Sequence, residues 1–74
     1  MNNNINNPII ELAGVYFNAN YIRQMRYDSF YGIRVYVGGR YSSDFQFQGK
    51  SESEMRAILV SWVKIWQQAL TNKP

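Results

Sequence analysis

The chain has 74 residues, a formal net charge of +3, and neither cysteine nor histidine. That length holds one domain, and a chain so short buries only ~60% of the surface its unfolded form exposes. Disulfides, thiolate metal sites and thiol nucleophiles are excluded, and the commonest general base and zinc ligand are missing. Stability must come from a very apolar core, from oligomerisation, or from both.

The opening "MNNNINNP", residues 1–8, is asparagine-rich with one apolar residue, and is expected to be a disordered tail. The single small domain is then residues 9–74. Two short apolar runs follow, "IIEL" at 9–12 and "VYFN" at 15–18, with a bulge or a tight bend around Ala13 and Gly14. "YIRQMRY" at 21–27 alternates imperfectly. A bulge between Ile22 and Met25 brings both inward and leaves Arg23, Gln24 and Arg26 outward.

"DSFYG" at 28–32 reads as a turn, with aspartate at its start and glycine at its end. "IRVYV" at 33–37 is the cleanest strand, with Ile33, Val35 and Val37 inward and Arg34 and Tyr36 outward. The Gly38-Gly39 pair predicts a two-residue hairpin. "RYSSDFQFQ" then returns with Tyr41, Ser43, Phe45 and Phe47 on one side, and Ser42, Asp44, Gln46 and Gln48 on the other.

"SESE" at 51–54 is a capping box: Ser51 is the N-cap, Glu54 stands three residues later, and the acids sit where the helix dipole favours them. From Met55 the apolar residues recur at 55, 58, 59, 62, 63, 66 and 69/70, which is a sustained helical stripe. A helix over about 51–70 is predicted, ending before "TNKP". The fold class is therefore α+β: an antiparallel β-meander of three to four strands, then one long C-terminal amphipathic helix packed on one sheet face.

No motif proposes catalysis. "GKS" at 49–51 lacks the earlier glycine of a phosphate loop, whose position holds Asp44, and the chain is too short for the required parallel crossovers. Glu11, Asp28 and Asp44 sit on separate elements, and Glu52 and Glu54 are two apart on a helix and do not face one another. The expectation is a non-enzymatic protein without cofactor or metal. The start lacks a basic segment followed by an apolar run, and the longest apolar run is "AILV". The expected location is the cytoplasm, away from membranes.

What remains is surface. Arg23, Arg26, Arg34, Tyr36 and Gln46 are the candidate partner-binding residues, on the outward face of the sheet. Tyrosine and arginine are the types enriched at protein-binding hot spots. They also serve single-stranded nucleic acid, tyrosine as a stacking platform and arginine as a backbone cation. They are equally at home on a solvated strand surface. A protein partner is the leading expectation, because +3 leaves few phosphate contacts; nucleic acid is the alternative. Val60, Ile65 and Phe30 are apolar beyond what one small sheet needs. They mark a homodimer interface, formed through a sheet edge or the helix flank.

From residue 15 to 59 the pattern "VYFN…YIRQM…GIRVYVGG…FQFQGKSESEMRAIL" resembles small FlbD-like flagellar regulatory proteins. The shared features are a short strand, a glycine hairpin and a Ser-Glu helix start. That resemblance implies a strand-rich half followed by a helix, and a regulatory role. In size and composition the chain is also similar to phage-encoded inhibitors that occlude a surface of a host protein.

Overall fold

The computed structural model describes residues 8–39 and 41–71, with the backbone alone for Tyr41. The expected tail therefore lies outside the described residues, apart from Pro8. Five strands precede one helix: β1 Ile9–Leu12, β2 Val15–Asn18, β3 Ile22–Asp28, β4 Gly32–Val37, β5 Tyr41–Phe45 and α1 Glu52–Thr71. The expected class holds: antiparallel strands, then a C-terminal helix packed on them.

The strands exceed the three to four expected and form two sheets. β1 and β2 make a hairpin of their own, while β3, β4 and β5 form a three-stranded meander. The break has a local cause. Asn18 accepts the amide of Asn20 at 2.9 Å and starts a 3-10 turn over Ala19–Tyr21, which takes Tyr21 out of β3. The β1–β2 connection is a tight bend: Leu12 pairs with Val15, and Ala13 and Gly14 both take positive φ, 51° and 83°. That is the two-residue turn whose twist suits a hairpin. The Pro8 carbonyl accepts the Ala19 amide at 2.8 Å, tying the end of the hairpin to its start.

Within the meander, the ladder between β3 and β4 shifts register between Ile22 and Gln24, so Arg23 is the extra residue of a bulge. Ile22 and Met25 are consequently both buried, while Arg23, Gln24 and Arg26 are exposed. The β4–β5 connection differs from expectation. Val37 pairs with Tyr41, so the loop has three residues, 38–40, in place of the two-glycine turn. β5 also ends at Phe45, and Gln46 and Phe47 lie beyond it.

The capping box forms as the spacing predicts. Ser51 Oγ accepts the Glu54 amide at 3.2 Å, and Glu54 Oε1 accepts the Ser51 amide at 2.8 Å. α1 lays Met55 and Trp62 into a core with Ile10, Leu12, Phe17, Ala19, Ile22, Met25, Ile33 and Val35. Trp62 is ringed by edge-on contacts to Phe45 and Phe47, at 5.0 and 6.0 Å between centroids. Phe17 reaches Phe45 at 6.2 Å, so hairpin, sheet and helix share one core. None of the described polar residues is buried.

Candidate functional site

The inner face of the meander is consumed by the core, which leaves the opposite face to solvent. Antiparallel pairing places directly opposed residues on the same side. Two rows therefore cross all three strands on the outer face: Gln24, Tyr36 and Ser42, and beside them Arg26, Arg34 and Asp44. This joins three of the expected binding residues, Arg26, Arg34 and Tyr36, with two partners the sequence reading had not paired with them.

Arg34 is the hub. Its Nε donates to Asp44 Oδ1 at 3.0 Å and its Nη2 to Ser42 Oγ at 3.1 Å, while Ser42 Oγ donates to Asp44 Oδ1 at 3.0 Å. Its guanidinium carbon lies 4.0 Å from the centre of the Tyr31 ring and 5.5 Å from that of Tyr36. Partial desolvation works against the charged form. The hydrogen bond and charge of Asp44 outweigh it, and the pKa is raised. Only 22% of the Arg34 side chain is exposed, and two of its guanidinium nitrogens, Nε and Nη2, already donate to acceptors of its own chain.

Arg26, opposite Arg34, meets Asp28 only at 4.0 Å and keeps 51% of its side chain exposed. Arg23 projects from the bulge and donates through Nη1 to the Gly38 carbonyl at 3.1 Å. With Gln24, Tyr36 and Gly39 it lines an open depression of about 390 Å³.

Gln46, another of the expected binding residues, also has a role within the chain. Its amide donates to the Phe30 carbonyl at 3.0 Å and clips the β3–β4 turn. The same turn is held by Asp28 Oδ1, which accepts the amides of Phe30 and Tyr31 at 2.7 and 3.0 Å. These bonds, first that from Tyr31 and then that from Phe30, keep the Asp28 carboxyl below its ordinary pKa. Phe30 stands at the tip, 75% exposed and edge-on to Tyr31 at 4.8 Å. Val60 and Ile65, on the helix, are 55% and 40% exposed.

Tyr31, Ser42 and Asp44 are the contributors that the sequence reading missed at this site. Among the described residues no group of histidine, cysteine, aspartate or glutamate is placed to hold a metal ion. No helix among them is long and apolar enough to cross a membrane. Comparison with protein-family models, curated proteins and solved structures gives no match.

Proposed function

We propose that this chain is a non-enzymatic binding protein, a small inhibitor or regulator, whose outer sheet face occludes a surface of a partner protein. The observation that carries this reading is the state of Arg34. It is fixed by Asp44, Ser42 and two tyrosine rings, so the face offers a rigid, amphipathic Tyr–Arg surface rather than a row of unengaged cations. Rigid aromatic and arginine side chains lose little entropy on binding and are the residues that dominate protein interfaces.

The same observation weighs against single-stranded nucleic acid. That ligand needs cations available to phosphate, and Arg34 is neutralised within its own chain. Arg23 and Arg26 remain as the outward cations of the described face. Titration with a single-stranded oligonucleotide at several salt concentrations tests the choice. The protein reading expects weak binding. Tight binding with log K falling by about 0.7 per phosphate contact per unit log salt overturns it.

A further inference from the structure

The two edges of the meander are built differently. β3, at one edge, carries the bulge at Arg23 and the exposed cations Arg23 and Arg26. A bulge and outward charges are the devices that keep an edge strand from pairing with another chain. β5, at the other edge, has no bulge and no cation of its own. Its register with β4 is unbroken, and Tyr41–Phe45 contains no proline, lysine or arginine. Its one charge, Asp44, is held by Arg34. Phe17 and Trp62 reach it at Phe45, on the core side. Among the described residues no strand pairs with its open side. The hairpin edges, by contrast, are four residues long, and β1 follows Pro8.

We propose that a second copy of this chain covers the open edge, with β5 pairing antiparallel to β5 about a two-fold axis at Ser43. Charge decides in favour of this occupant. The centring sets Ser43 opposite its own copy and Ser42 opposite the partner's Asp44. Each carboxylate then meets a hydroxyl, and no like charges stand opposed. The same operation on β3 brings two arginine-bearing edges together. The closed interface is isologous, as a two-fold dimer requires. It yields one six-stranded sheet, on whose outer face two Arg34–Asp44 pairs lie side by side. The added main-chain hydrogen bonds also supply what so short a chain lacks on its own. This assembly is independent of whether the outer face takes a protein partner.

Sedimentation equilibrium on the full chain, with Ser42→Asp, Ser42→Asp/Asp44→Ser and Ser43→Lys, tests it. The native chain should dimerise reversibly at micromolar concentration. Ser42→Asp opposes two carboxylates at two symmetric positions and should weaken the dimer about tenfold or more, an effect that added salt relieves. The double exchange recreates the carboxylate–hydroxyl pairs and should restore affinity. Ser43→Lys places two cations on the axis and should give a monomer, whose fold is checked by circular dichroism because Ser43 lies on the inward side of β5 opposite Val35. The salt-relieved loss in Ser42→Asp and its rescue by the double exchange test the pairing without that variant. A native chain that stays monomeric overturns the proposal. So does a dimer that survives Ser42→Asp and Ser43→Lys but is lost in Val60→Asp/Ile65→Asp.

Discussion

The indole N–H of Trp66 donates to the carbonyl of Ala19 at 3.0 Å, across 47 residues of chain. Ala19 is only 1% exposed, and it sits in the turn that separates hairpin from meander. The bond therefore fastens the helix at the point where the two sheets part. Trp66→Phe keeps most of the apolar body and strands the carbonyl, so it should cost about 1–3 kcal/mol. Trp62→Ala removes the centre of the aromatic cluster and should cost ~3–5 kcal/mol. Urea midpoints of the two variants check both the order and the size. Equal, near-zero shifts would mean the helix is not held by its tryptophans.

Two turn positions should respond in opposite senses. Gly32 has φ of 85°, and a Cβ there would collide with the Phe45 carbonyl oxygen. Gly32→Ala therefore combines backbone strain with a clash against a neighbouring strand and should cost more than ~2 kcal/mol. Ala13 holds φ of 51° in the β1–β2 turn, where asparagine or glycine is at ease. Ala13→Asn should raise stability by about 0.5–1 kcal/mol. Thermal melts of both variants check this, and a loss of stability in Ala13→Asn would contradict the turn geometry.

Much of this architecture is legible in residue order because local chemistry and tertiary packing agree. The capping box, the stripe from Met55 to Leu70 and the bulge before Met25 all form as their patterns imply. The Arg34–Asp44 pair was hidden by one residue of register. A two-residue Gly-Gly loop sets Arg34 against Ser43, and a one-residue slip reverses every facing. The alternation itself held the correction. Inward Ile33 and Val35 face inward Phe45 and Ser43 only if the loop is odd. The separation of β1–β2 from the meander had no comparable signal, since it rests on a single side-chain bond from Asn18 and one 3-10 turn. The role of Gln46 was equally unreadable, because it depends on where the Phe30 carbonyl points.

Acid should loosen the structure at two named places. Asp28 and Glu54 both have pKa values lowered from their ordinary values, Asp28 by the amides of Tyr31 and Phe30, Glu54 by the amide and then the hydroxyl of Ser51. A folded-state pKa below the unfolded one gives stability that is present above the ordinary value and lost as pH falls through the depressed one. Both contributions are thus complete at neutral pH and disappear below about pH 4. In Asp28→Asn and Glu54→Gln the amide oxygen still accepts a hydrogen bond, so the turn and the cap persist. The fall of stability with acidification should become shallower in each. Denaturant midpoints measured across that range check it, and unchanged slopes would contradict the assignment.

Most direct for the binding reading is affinity capture from native-host extract, with and without nuclease, using the native chain, Tyr36→Ala and Arg34→Ala. The account predicts a protein partner that survives nuclease treatment and is lost or released faster in both variants, with their helix and sheet content unchanged by circular dichroism. A partner that disappears with nuclease, or one retained in full by both variants, would contradict it.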